Sequence, residues 1–144
     1  MEEKEVISLI KPIYTMEKNN DITQEQREML EKFYESDSHK EYVNKISSYN
    51  KAVLRSFRQH ILEGRKAGSF VEAVLHNNFV GACLKADYHM KRCLPEIATY
   101  MQQMPTQATG GEDRVGSWRA RGGLISAYDG EVENAIDYLK DKGL

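Results

Sequence analysis

Residues 68–87 read Gly-Ser-Phe-Val-Glu-Ala-Val-Leu-His-Asn-Asn-Phe-Val-Gly-Ala-Cys-Leu-Lys-Ala-Asp, and this stretch decides the fold class. Ser69 followed three residues later by Glu72 has the form of a capping box, in which the hydroxyl accepts from the Glu72 backbone N–H while the carboxylate reaches back to the Ser69 N–H. The spacing predicts a helix starting at Ser69, with Phe70, Ala73 and Val74 as its apolar stripe. Asn77-Asn78 then interrupts, because short amide side chains compete for backbone hydrogen bonds and tolerate left-handed conformations. A second helix carrying Phe79, Ala82, Cys83 and Ala86 follows, so a short helical hairpin folded at Asn77-Asn78 is expected.

Working outward toward the N-terminus, Arg65-Lys66-Ala67-Gly68 reads as a connection, and Gly64 as the left-handed cap of a preceding helix. That helix is expected to be long, since Tyr42 or Val43, Ile46, Tyr49, Val53, Phe57 and Ile61 keep helical spacing. Ser36-Asp37-Ser38 marks a break. Before it, Thr23 and Gln26 form a second capping box opening a helix with Met29, Leu30, Phe33 and Tyr34 on its buried side. Asn19-Asn20-Asp21 is a turn cluster. Val6, Ile7, Leu9, Ile10, Ile13 and Tyr14 predict a first amphipathic helix with Pro12 near its start or at a kink.

Toward the C-terminus, Met90, Leu94, Ile97, Met101 and Met104 continue at spacings of three and four, with a kink or fresh start at Pro95. Pro105 to Gly111 reads as a loop and a mobile element. Glu112 to Arg121 is expected to form a short helix with Val115 and Trp118 inward, ended by Gly122-Gly123. Asp129 is expected to cap a last, acidic helix with Val132, Ile136 and Leu139 facing the core. No segment sustains period-two alternation and no internal repeat occurs, so the chain is expected to be one all-α domain over 1–144.

The 144 residues are 29% charged and 40% hydrophobic with three prolines, which places the chain among globular rather than disordered or fibrous proteins. The net charge of -2 is unevenly spread. Residues 1–41 hold six Lys/Arg against eleven Asp/Glu, residues 42–127 twelve against six, and residues 128–144 two against five. A basic middle between acidic ends suits either a monomer that assembles head to tail, hence a homo-oligomer, or a basic concavity for phosphate-bearing ligands. No apolar run is long enough to cross a bilayer, so no membrane partner is expected. The acidic start Met-Glu-Glu-Lys-Glu and the two cysteines, Cys83 and Cys93, fit a cytoplasmic location.

The pattern Gly68-Ser69-Phe70-x-x-Ala73-Val74-Leu75-x-Asn77-Asn78-Phe79-x-x-Ala82-x-x-Lys85-Ala86-Asp87 resembles a group of small helical proteins encoded by tailed bacteriophages. The group's version carries an Asn-Asp pair and a leucine where this chain has Asn78 and Phe79. Further on it carries Gly-Ser-Pro-Glu-Lys-Val-x-x-Trp, to which Gly110-Gly111-Glu112-Asp113-Arg114-Val115-Gly116-Ser117-Trp118 is similar without the proline. The resemblance covers residues 62 to 124 and implies a phage accessory factor of anti-defence type. Such a factor binds and neutralises a host protein or a nucleotide signal in the host cytoplasm.

His76, Cys83, His89 and Cys93 lie in one stretch, but they lack the paired close spacings of zinc modules, and a free cysteine is more often a small buried hydrophobe, so no metal is expected. Catalysis is not indicated, because Cys83 and Cys93 sit in apolar runs, no nucleophile elbow occurs, and Glu63, Glu72, Asp87 and Glu96 are scattered. No cofactor is implied. The leading expectation is a nucleotide-like ligand. Arg65 and Lys66 precede the Ser69 helix start, where free N–H groups favour an anion, and Arg114, Arg119 and Arg121 flank Trp118, an indole suited to base stacking. The competing reading buries Trp118 in the core with its arginines solvated. The alternative function is an inhibitor docking on a host protein through its helices, several of which carry tyrosine. A nucleic-acid-binding protein stands third, because acidic ends oppose a long polyanion track.

Overall fold

Within residues 22–105, 108 and 117–144, which the computed structural model describes, every element is a helix or a turn. The fold class is therefore all-α, as periodicity predicts. The helix expected over Val6 to Tyr14 and the Asn19-Asn20-Asp21 turn lie outside the described residues.

Helix α1 (Gln24–Glu35) starts where its capping box predicts: the Gln26 N–H donates to Thr23 Oγ1 at 3.1 Å, and the Thr23 N–H donates to Gln26 Oε1 at 2.9 Å. Leu30, Phe33 and Tyr34 form its buried stripe. The expected long helix is corrected to two, α2 (Glu41–Tyr49) and α3 (Lys51–Glu63). Asn50 separates them with extended backbone, φ -161°, and its Oδ1 accepts the Ala52 N–H at 3.0 Å. A short amide offers the backbone a cap in place of the next helical bond, so the helix restarts although the apolar spacing runs on.

Helix α3 is the centre of the packing, touching α1, α2 and two later helices, α4 (Ser69–Leu75) and α8 (Leu124–Ala127). Val53, Leu54, Phe57, Ile61 and Leu62 fill the core around it. Three polar side chains of the same helix are also buried, and each secures a neighbouring segment. Arg58 donates to the carbonyls of Phe33 (2.9 Å), Ser36 (2.7 Å) and Leu144 (2.9 Å). It thereby satisfies carbonyls at the end of α1, where the helix dipole also favours a cation. The His60 ring nitrogens lie 3.2 Å from the Arg65 carbonyl and 2.8 Å from that of Ala108. Glu63 accepts from Arg27 at 2.7 Å and from the Tyr34 hydroxyl.

Gly64 ends α3 in the left-handed region, φ 68°, as expected, and there the chain meets the turn at Gly122-Gly123 backbone to backbone. A Cβ on Gly123, itself at φ 92°, would lie 2.2 Å from the Leu62 carbonyl oxygen, so no other residue fits. Two capping expectations are corrected. Gly68, not Ser69, is the N-cap of α4, and the Glu72 carboxylate reaches past Ser69 to accept the Ala67 N–H at 3.1 Å. Glu131, not Asp129, precedes α9 (Val132–Asp141), while Asp129 adopts φ 55° in the turn before it. Val132, Ile136 and Leu139 face the core as their spacing predicts, and α9 packs on α1 and α8.

After α4 come α5 (Phe79–Lys85), α6 (Tyr88–Lys91) and α7 (Leu94–Gln103). The fresh start expected at Pro95 is present, but before it the chain also restarts at Asp87 instead of continuing α5. Asp87 caps α6 by accepting the Met90 N–H at 2.8 Å, and Pro95 sits in the first turn of α7, where its missing N–H is harmless. Met90, Ile97 and Met104 are buried. Lys45 and Glu96 pair at 2.7 Å, joining α2 to α7. Of the expected loop from Pro105 only Pro105 and Ala108 are described, and the first part of the expected Glu112–Arg121 helix lies outside the described residues. Its last residues, from Ser117 to Arg121, form a turn rather than a helix, with Ala120 N–H bonded to Ser117 Oγ at 3.1 Å.

Candidate interaction surface

The hairpin expected at Asn77-Asn78 is present, and its chemistry is the expected one. Asn77 takes φ 59°, and Asn78 caps α5 by accepting the Gly81 N–H at 2.9 Å. Gly81 is required for this: an added Cβ would lie 2.3 Å from the Asn78 amide nitrogen and displace the cap. Phe70, Val71, Ala73 and Leu75 anchor α4 to the core, and Ala82 with Ala86 lays α5 against it.

The small residues of α5 thus face inward and its large ones outward. Phe79 is 74% exposed, Val80 67%, Leu84 80% and, on α6, Tyr88 68%. Val80, Leu84 and Tyr88 are spaced by four, and Phe79 with the half-exposed Cys83 completes a second row. These exposures leave roughly 500 Å² open, near the upper end for the largest apolar patch of a typical monomer. A helix apolar on both faces is one that expects cover on both. Beside the patch, between the hairpin and α7, runs a groove of about 210 Å³ lined by Val74, Phe79, Ala82, Leu94, Ile97 and Met101. Exposed Lys91 and Arg92 follow Tyr88 on this face, and among the described residues neither has an ion pair. Arg92 instead lies over the rings of Tyr88 and Tyr49 at 5.5 and 5.7 Å.

The residues expected to hold an anion are placed differently. Arg65 and Lys66 are exposed, and the Arg65 guanidinium turns to Glu63 at 3.4 Å. The Gly64–Gly123 contact does bring the Trp118–Arg121 turn beside α4, but Arg119 pairs with Glu72 at 3.7 Å. Trp118 is 5% exposed and meets the Tyr138 ring edge-on at 6.1 Å, so the expected stacking platform is corrected to a core anchor. Arg121 is exposed, and Arg114 lies outside the described residues. What remains on this side is an open depression of about 410 Å³, lined by Lys66, Ser69, Glu72, His76, Asn78 and Lys85. Its floor carries the Glu72 carboxylate, bonded to His76 at 3.2 Å, and so puts a negative charge where an anion would lie.

Of the cysteine and histidine stretch, His89 stacks edge-on against Tyr88, and the Cys93 thiol donates to the His89 and Met90 carbonyls at 3.6 and 3.5 Å. Burial pushes that thiol up to about 11. Among the described residues no three His, Cys, Asp or Glu side chains converge as metal ligands do, and no helix is long and apolar enough to cross a membrane. The signal missed in the sequence was the content of α5: Phe79, Val80, Cys83 and Leu84 exceed what one buried face of a seven-residue helix accommodates. Comparison with known protein families, curated proteins and solved structures yields no match to this chain.

Proposed function

We propose that this chain is a non-catalytic accessory protein of anti-defence type that docks on a host protein in the host cytoplasm, receiving an acidic amphipathic helix on the apolar face of α5 and α6. The observation that carries the reading is the unbroken exposure of Phe79, Val80, Leu84 and Tyr88 beside an apolar groove. Anchors of a partner helix at three- and four-residue spacing match such a groove, and its acidic flank matches Lys91 and Arg92. Burying about 500 Å² of apolar surface is worth roughly 12 kcal/mol before the cost of association, enough to drive specific binding. A flat lipid surface has no knob for the groove, which favours a protein over a membrane.

The test is direct binding of a host protein, purified after capture, to the native chain and to Leu84→Asp. Affinity lost at least a hundredfold in the variant, and weakened by salt in the native complex, supports the proposal. Equal binding by both refutes it, as does binding of the native chain to anionic phosphatidylserine vesicles in place of any protein. Self-association through the same face, the homo-oligomer expected from the sequence, is read by sedimentation of the native chain alone.

A second reading keeps the nucleotide-like or phosphate-bearing ligand and moves it to the depression beside α4. Lys66, Ser69 and Lys85 line that hollow together with Glu72, and neither lysine is ion-paired among the described residues. Titration with a nucleotide panel tests it, binding being expected to fall with Lys66→Ala and Lys85→Ala and to survive Arg65→Ala.

A further inference from the structure

Val80 and Leu84 project from α5, and Tyr88 from α6, with no described element over them, and beside them lies an open apolar groove. One face of the molecule therefore carries both an apolar knob and a hollow able to receive one. We infer that in the free protein this face is covered by the same face of a second copy, the two related by a two-fold axis. Each copy places its Leu84 in the groove of the other, between the hairpin and α7. The inference rests on the same exposed face as the docking proposal and goes beyond it, since a host partner and a second copy then exclude each other.

Area is the first argument. Roughly 500 Å² of apolar surface is open on each copy, so pairing removes about 1,000 Å². At the apolar share of about 65% usual in homodimers, this corresponds to about 1,500 Å² of total interface, the standard size of a specific and stable association. Self-complementarity is the second. Leu84 is 80% exposed, and the groove of about 210 Å³ accepts a side chain of its size. Because knob and groove adjoin on one face, a single two-fold rotation satisfies both copies, whereas a knob and a hollow on opposite sides would build an open chain. The pair is thus closed, unlike the head-to-tail assembly to which the charge distribution points. A host protein must bring its own matching relief, and a second copy already has it. Charge does not oppose the pairing. Lys85 lines the depression beside α4 and not the groove. An antiparallel crossing of the two α5 helices sends Lys91 and Arg92 of each copy to opposite ends of the interface, where Arg92 keeps its place over the Tyr88 and Tyr49 rings.

Sedimentation equilibrium of the full chain, of Leu84→Asp and of Ala98→Trp tests the inference. Ala98 is exposed on α7 and lines the groove, so tryptophan there fills the hollow while the α5 knob stays in place. The native chain is expected to be a dimer at about 50 µM, and each variant, with native circular dichroism, to dissociate at least a hundredfold more readily. A monomeric native chain overturns the inference, and so does growth beyond a dimer, because the contact would not close. A dimer that survives Leu84→Asp overturns it, since the interface would lie elsewhere. One that survives Ala98→Trp overturns it too, since non-specific apolar contact needs no groove. If the native chain is monomeric while Leu84→Asp still loses the host protein, the dimer is refuted and the docking proposal stands. If Leu84→Asp breaks the dimer but binds the host protein as the native chain does, the docking proposal falls and the dimer stands.

Discussion

Replacing Arg58 by methionine tests how the core of this fold is held. The side chain is fully buried, with its guanidinium 4.6 Å from the Phe33 ring and donating to the carbonyls of Phe33, Ser36 and Leu144, of which that of Phe33 also accepts from the Ser36 N–H and hydroxyl. Its remaining nitrogen, Nη2, lies without a well-formed bond beside the Tyr100 hydroxyl, itself fully buried. Methionine keeps the packing and removes the donors. The abandoned carbonyls of Ser36 and Leu144 cost about 1–3 kcal/mol each, whereas relief from burying a charge returns part of the sum, leaving a net loss of about 3 kcal/mol. With a urea dependence of about 2 kcal/mol per molar, the unfolding midpoint should fall by about 1.5 M at unchanged slope. Circular dichroism and intrinsic fluorescence of Trp118 report the transition independently. A midpoint shift below about 0.5 M would refute the reasoning, because it would mean that water or rearrangement satisfies the α1 carbonyls as well as Arg58 does.

Gly123→Ala should destabilise by about 3 kcal/mol or more, read as a lowered urea midpoint, since its φ of 92° and the 2.2 Å approach to Leu62 leave a methyl group no place. Thiol titration at neutral pH should count one fast cysteine, Cys83, and a second, Cys93, only after unfolding, because burial holds the Cys93 thiol near 11. Burial lowers the proton affinity of His60 below its usual 6.5, against the pull of the Ala108 and Arg65 carbonyls. As pH falls past 6.5 the unfolded chain takes up a proton that the folded one resists, so stability should decline between pH 7 and 5, and His60→Gln should flatten that slope. Glu96 is held below its usual 4.5 chiefly by its bond to Lys45, so the stability it adds should be present above 4.5 and lost as pH falls through its lower folded value; Lys45→Met should reduce that acid-limb loss.

The fold was legible wherever apolar spacing and capping chemistry agreed. Thr23 with Gln26, Gly64, the Asn77-Asn78 turn and the Val132–Leu139 stripe all act as their residue types predict. Reading failed where a short polar side chain competed locally, as Asn50 does in splitting one expected helix into two. It failed again where a distant partner claimed a side chain: Glu72 forgoes Ser69 for Ala67, His76 and Arg119. Arg58, His60 and Glu63 read as ordinary charges of a surface helix, because nothing local reveals that α3 is surrounded. The anion site suffered from the same limit. Proximity of Arg65, Arg119 and Trp118 follows from the Gly64–Gly123 contact, but their orientation depends on Glu63, Glu72 and Tyr138, none of which adjoins all three in sequence. The exposed face of α5 was hidden in plain composition, since periodicity alone does not say which of two apolar rows is covered.

A photo-crosslinking residue placed at Leu84, and in a control at the exposed Glu133 on α9, tests the docking surface in the cell where the protein works. The expected result is an adduct from position 84 to an acidic amphipathic segment of one host protein and none from position 133. Absence of any adduct at 84, or the same adducts from both positions, would contradict the account.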